Sequence, residues 1–267
     1  FLINSVTLAA TAQGFNTSAQ QIAKLSAQAQ FSSQANAPLS LVVRADGISG
    51  NQLRADTFNL DVSGTTAQHT FNVTLAEREQ NWKISAAGSL KDLTRAPRWE
   101  GAINTFDAAG HLTTKLSAPA KLLISQKQIQ LDQFKVTGAN ASIVIEQFLR
   151  NERGITTRGK FEHVKIGELL QSLNPAAAIA GDLSLGGDWN LNLIDKLDGT
   201  VNLRRESGDL VMRGNSSAAL GLTNLNASAT ASKGRLAVTL LAEGKQTGRI
   251  DLNLNTTIGG DSRFSIS

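Results

Sequence analysis

Apolar and polar residues alternate along most of this chain, most plainly between Trp99 and Phe148. Within 116–125, Leu116, Ala118, Ala120, Leu122 and Ile124 are apolar, Ser117, Pro119, Lys121 and Ser125 are not, and Leu123 is the one exception. Further runs follow at Ile129 and Leu131, then at Ala139, Ala141, Ile143 and Ile145. Successive side chains point to opposite faces of a strand, so each run predicts a short β-strand with one apolar and one polar face. Between Leu131 and Phe134 the alternation slips by one residue, which predicts a bulge or a turn.

The period recurs on both sides of this stretch. Val6, Leu8, Ala10 and Ala12 form a run closed by Gly14. Residues 19–31 fit a helix face through Ile22, Leu25 and Ala29, or a strand through Ala23, Leu25, Ala27, Ala29 and Phe31; the strand is favoured. Pro38 opens a run to Ala45, after which Asp46-Gly47 is a turn signal. Phe58 to Val62, Phe71 to Leu75 and Trp82 to Ala86 continue the pattern, and it resumes from Ile179 to Leu254. Only Val164–Leu173 departs from it. There Ile166, Leu169, Leu170 and Leu173 stand at helical spacing, and Asn174-Pro175 predicts the helix end. The total is about fifteen strands with frequent turns, an all-β chain.

Composition narrows the chemistry. The net charge of +4 is mild, and Arg204-Arg205 is the one adjacent basic pair, so a nucleic-acid partner is not expected. No cysteine is present, which removes disulfides and thiol chemistry. His69, His111 and His163 have no metal-ligand spacing, and no nucleophile-elbow or phosphate-loop motif occurs, so neither an enzyme nor a cofactor is expected. No apolar run approaches the ~18 residues of a membrane-spanning helix. A transmembrane barrel is disfavoured because the runs look shorter than its ~10-residue strands and Trp82, Trp99 and Trp189 are the only tryptophans. The alternation reaching both ends reads as one continuous segment over 1–267 cut from a longer chain, with 88–98 as the place for a subdivision.

Several local motifs, in order, carry a resemblance. They are Gly64-Thr65 followed by His69; Arg98-Trp99-Glu100-Gly101 and Leu116-Ser117-Ala118-Pro119-Ala120; the 164–173 segment leading into Ala180-Gly181-Asp182-Leu183; and Leu197-Asp198-Gly199 through Arg205-Glu206-Ser207-Gly208-Asp209-Leu210 to Leu220-Gly221-Leu222. Together, from Pro38 to Ile258, they resemble the C-terminal half of the TamB family of AsmA-like lipid-transfer proteins. The resemblance implies a long, curled, taco-like amphipathic sheet forming an apolar groove. It implies anchoring in the inner membrane by a segment absent here, a periplasmic location, and transport of phospholipid toward the outer membrane. It also implies support of outer-membrane protein assembly with an Omp85-type barrel of the TamA or BamA kind.

On that basis the residues expected to line the groove and meet phospholipid acyl chains are Val73, Ile84, Leu122, Ile124, Ile143, Ile145, Leu183, Leu191, Leu203, Val238 and Leu252. Lys83, Lys121, Asn190, Asn192 and Asn253 are expected on the other face. Without the resemblance, a closed core of a sandwich or solenoid ranks ahead of a groove for the same residues. Three functions stay open: lipid conduction, a scaffold that pairs its free sheet edge with nascent outer-membrane strands, and a structural stalk.

Overall fold

A computed structural model describes residues 6–17, 20–32, 34, 36–50, 54–110, 113–138, 141–167, 179–212 and 218–258. The all-β class expected from the alternation is what is found. The chain divides into two units, Phe1–Ala139 and Asn140–Ser267.

The first unit is an antiparallel meander of β1 (Val6–Asn16), β2 (Gln20–Phe31), β3 (Pro38–Gly50), β4 (Arg54–Thr65), β5 (His69–Glu77), β6 (Gln80–Lys91) and β7 (Arg98–Ala109). Each pairs with the next. β7 then pairs with β8 (Thr114–Leu116) and β9 (Ala120–Ser125), and both pair with β10 (Gln128–Gly138). The run over 116–125 is therefore two strands and not one. Pro119, which has no N–H to give a ladder, lies in the break between them. The slip between Leu131 and Phe134 is real, and Gln133 takes φ 59° there. Residues 88–98 lie within this unit, where 88–91 pair with 98–101.

In the second unit β11 (Ala141–Asn151), β12 (Gly154–Lys165), β14 (Ser184–Leu193), β15 (Leu197–Ser207), β18 (Leu222–Ser232), β19 (Arg235–Gly244) and β20 (Gly248–Thr257) form an antiparallel sheet in that order. Two excursions from it build a small three-stranded sheet of β13 (Ile179–Gly181), β16 (Leu210–Met212) and β17 (Ala218–Ala219). Under them Leu183, Leu185 and Leu222 form a buried cluster, with Phe161, Ile166, Leu210, Leu220 and Leu225 against it. The expected helix over 164–173 is corrected at its start: Val164 and Lys165 finish β12, and only Ile166 and Gly167 are helical. Residues 168–173 lie outside the described residues.

Most strands of the two main sheets run from 9 to 13 residues, longer than the apolar runs suggested. The length argument against a barrel therefore falls away. The reason is visible in β3. Asp46-Gly47 is not a turn but the middle of the strand, with Gly47 at φ 62°. β1 likewise continues through Gly14 at φ 61°. Neighbouring strands carry the same three-residue spacing at the same level: Ala12 to Phe15, Ile22 to Leu25, Ala45 to Ile48 and Ala55 to Phe58. Asp46-Gly47, like Ala23-Lys24 and Asp56-Thr57, is exposed, while the apolar residues flanking it on β3, like those flanking these pairs on β2 and β4, are covered. A left-handed glycine in two of the four strands lets the chain skip one residue and keep its apolar side chains on one face.

Candidate functional site: apolar ladders across each sheet

Directly opposed residues of antiparallel strands share a face, so the pairing registers can be followed from strand to strand. In the first unit this gives unbroken apolar rows. One runs Leu8, Ala29, Leu41, Val62, Phe71, Ala86, Ile103, Ala120 across eight strands. The next runs Ala10, Ala27, Val43, Leu60, Val73, Ile84, Phe106, and a third runs Ala12, Leu25, Ala45, Phe58, Leu75, Trp82, Ala108. No polar residue interrupts any of them. At ~4.8 Å per strand, eight strands carry an apolar track of about 34 Å, perpendicular to the strands.

The second unit repeats the device. Ile143, Phe161, Gly187, Leu203, Ala227, Leu240 and Leu252 form one row across seven strands. Ile145, Gly159, Trp189, Val201, Ala229, Val238 and Leu254 form the next. Where a row meets a glycine, an aromatic ring fills the place of the missing side chain. A Cβ on Gly159 would collide with the Trp189 ring, and one on Gly187 with the Phe161 ring.

Most large side chains of the rows are only partly covered, while Val62, Ala45, Ala108 and Ala120 among them are buried. Leu41, Phe71, Leu60, Val73, Ile84, Phe106, Phe58 and Leu75 are all half-buried, as are Phe161, Leu203, Leu240, Leu252, Trp189 and Val201. On β1 and β11, Leu8 is 55% and Ile143 41% exposed. The inner face of a two-layer sandwich would instead hide such side chains, since interiors are packed to crystal density.

Of the eleven residues picked from the sequence, Val73, Ile84, Leu122 and Ile124 fall on one face of the first unit. Ile143, Ile145, Leu191, Leu203, Val238 and Leu252 fall on one face of the second. Leu183 does not join a row. It is 1% exposed and belongs to the cluster under the small sheet. Lys83, Lys121, Asn190, Asn192 and Asn253 stand on the opposite faces and are exposed. Leu60, Phe71 and Trp189 lie in alternating runs but are not among the eleven, and Phe161 lies in no run; their membership of a row is a property of cross-strand register and not of one strand.

Two buried or half-buried polar groups, His69 and Asp209, are structural. His69, 2% exposed, is held between Trp99 and the Thr65 carbonyl. The Asp209 carboxylate accepts N–H groups from Leu210 and Leu222 on Oδ1, at 2.8 and 3.0 Å, and from Gly221 on Oδ2 at 2.7 Å. It pins the start of β18 to the turn before β16. Among the described residues no group of His and carboxylates could hold a metal ion, and no helix is long and apolar enough to cross a membrane. His111 lies outside the described residues.

Fold and faces together define a β-sheet protein whose apolar side is laid out as continuous tracks. The model of the TamB N-terminal domain matches residues 4–263, and the chain belongs to the TamB family of the bacterial envelope. The expected placement in the C-terminal half is thereby corrected, since the matching model is the N-terminal one. No curated protein and no solved structure matches the chain.

Proposed function

We propose that this domain carries phospholipid acyl chains along the apolar rows of its sheets, as part of lipid movement between the inner and outer membranes. It works without catalysis, in the periplasm, in a protein anchored to the inner membrane and partnered by an Omp85-type barrel. The observation that supports this reading is the rows themselves: free of polar side chains, crossing seven or eight strands, and with most of their large side chains half-buried. A track of about 34 Å exceeds the acyl layer of one leaflet, which is half of a ~30 Å hydrocarbon core. Each methylene taken from water onto the row is worth ~0.8 kcal/mol, so a gap of even a few carbons would stall the chain. Rows without polar steps offer near-equal sites from one strand to the next.

The test is Leu203→Asp, in the middle of its row. In a closed core an unpaired carboxylate costs several kcal/mol and unfolds a marginal domain. On an open face it hydrates and the fold survives, while an acyl chain cannot pass. A folded variant that loses lipid crosslinking at neighbouring Leu240 and fails to support outer-membrane integrity in cells is the expected result. A folded variant with undiminished lipid crosslinking would refute transport along this row.

A second reading, strand pairing at a sheet edge during outer-membrane protein assembly, draws on β1. Among the described residues it pairs only with β2, and it carries no charge and no proline to blunt that edge.

A further inference from the structure

Turns are ordinarily polar, but those at one end of the second sheet carry large apolar side chains. Leu193 is 43%, Ile194 42% and Ile258 46% exposed. The backbone sets these turns side by side. A Cβ on Gly154, at the β11–β12 turn, would stand 2.8 Å from the Ile194 Cα in the β14–β15 turn. Lys196 of that turn lies over Gly234 of the β18–β19 turn, its Cδ 3.5 Å from where a Cβ on Gly234 would stand. The Gly234 carbonyl in turn accepts the Ile258 N–H at 2.8 Å. The three exposed residues thus belong to one rim.

Register carries the apolar face out to this rim. Its last row is Arg150, Ile155, Leu193 and Leu197, two residues beyond the row through Thr157, Leu191 and Gly199. Arg150 therefore brings a cation onto the apolar side at the strand ends. In this row and these turns four cations, Arg150, Arg153, Lys196 and Lys233, stand against two carboxylates, Glu152 and Asp195. None of the four cations makes an ion pair among the described residues. Exposed apolar tips bordered by long, unneutralised basic side chains suit a lipid surface. The apolar groups enter the boundary of the acyl layer, and the cationic heads reach phosphates on flexible stems.

We propose that this rim docks on the surface of an anionic lipid bilayer, with Leu193, Ile194 and Ile258 entering the interface and Arg150, Lys196 and Lys233 at the level of the phosphates. Docked in this way, the rim sets the end of the apolar face against the acyl chains, where lipid is taken up or delivered. That use of the contact rests on the lipid-carrying reading, whereas the docking rests on the rim alone.

Flotation of the full chain with vesicles of phosphatidylcholine, alone or mixed with phosphatidylglycerol, tests the docking. Lipid crosslinking at Leu240 reads carriage separately. The chain is expected to float with the mixed vesicles. I194S/I258S should abolish flotation, and R150Q/K196Q/K233Q should weaken binding to the mixed vesicles about tenfold or more, as raised salt does. These five side chains are exposed, so both variants keep the fold. Met212→Ser, at a residue 54% exposed in the small sheet, and Leu8→Ser on β1 should change nothing. Flotation that survives I194S/I258S but is lost in Leu8→Ser or Met212→Ser overturns the rim. Absence of flotation overturns the docking, and leaves carriage standing where lipid is still crosslinked at Leu240. Flotation lost in I194S/I258S, with no lipid crosslinked at Leu240 in the unaltered rim, keeps the docking and removes carriage. Self-association that I194S/I258S abolishes, without flotation, assigns the rim to a second copy and overturns the proposal.

Discussion

The Trp99 indole N–H donates to Nε2 of His69 at 2.8 Å, in a place where neither residue meets solvent. An indole nitrogen can only donate, so Nε2 must be the acceptor and Nδ1 must carry the hydrogen that goes to the Thr65 carbonyl, also at 2.8 Å. The imidazole is thereby fixed as one neutral tautomer. Phe71 packs edge-on against both rings, at 5.2 and 5.7 Å between centroids. Below them lie Gly88 and Gly101, where a Cβ would run into the Trp99 ring. The cluster flanks the row through Phe71 and Ala86, one level further along the strands, with a satisfied polar pair.

Trp99→Phe is expected to leave the His69 acceptor buried and unpaired, at a cost of about 1–3 kcal/mol beyond the lost ring contacts. Adding His69→Leu should recover part of that loss, because removing both partners is cheaper than removing one. Urea unfolding of the two single variants and the double variant measures it. Strict additivity of the two substitutions would show that the hydrogen bond contributes nothing.

Gly159 and Trp189 face each other directly across β12 and β14. Gly159→Ala should destabilise the second unit by about 1–3 kcal/mol, since the new methyl group meets both the indole and the Val144 carbonyl. In a Trp189→Leu background the indole part of that clash disappears and the penalty of Gly159→Ala should shrink. Thermal melting of the four proteins gives the coupling, and an unchanged penalty would mean the backbone contact alone sets it.

Asp209 predicts a pH dependence. Burial pushes its carboxyl up, but the N–H groups of Leu222, Gly221 and Leu210 and the Arg205 charge outweigh this and hold it below its ordinary value. A carboxyl depressed in the folded state stabilises the fold above its unfolded pKa, about 3.9. That stabilisation is lost as pH falls through the folded value. The melting temperature of the wild type should therefore drop on acidification below about pH 4 by more than that of Asp209→Asn. Parallel curves for the two proteins would remove Asp209 from the acid response.

Much of the face assignment was legible because alternation is a local property. Val73 and Ile84 can be placed on the apolar side from their own strands, and the two-residue turns Arg78-Glu79 and Lys233-Gly234 fix register besides. What alternation hides is any residue that changes phase inside a strand. Asp46-Gly47 reads as a turn because that pair so often makes one, yet here the left-handed glycine matches a skip in the strands on both sides. Leu183 shows the opposite failure. Its neighbours alternate with it, but the segment leaves the sheet and buries it under β13 and β16, a non-local packing that no period reports. The helical spacing at Val164 was overridden in the same way, since β12 gains more by pairing Val164 and Lys165 with Leu185 and Ser184.

The last prediction concerns β1. Its eleven residues contain no charged side chain and no proline, although its outer edge is unpaired among the described residues. Sheet edges left free in this way template pairing with another strand where no charge, bulge or proline interferes, which on β1 is the stretch before the skip at Gly14. Antiparallel pairing of β1 with β1 of a second copy, Ala10 opposite Ala10, sets Leu8 against Ala12 on the apolar face and leaves no like charges in contact. The protein should therefore associate as its concentration rises. Ala10→Lys puts a charge into the middle of that pairing, on the face where it has no partner, and should return the protein to monomer in sedimentation equilibrium while leaving the melting temperature of the rest of the sheet nearly unchanged. Association that survives Ala10→Lys but is abolished by Leu254→Lys would move the contact to β20, the other terminal strand. A protein that stays monomeric at high concentration would mean that the β1 edge does not recruit strands, and with it the strand-pairing reading of this domain would fall.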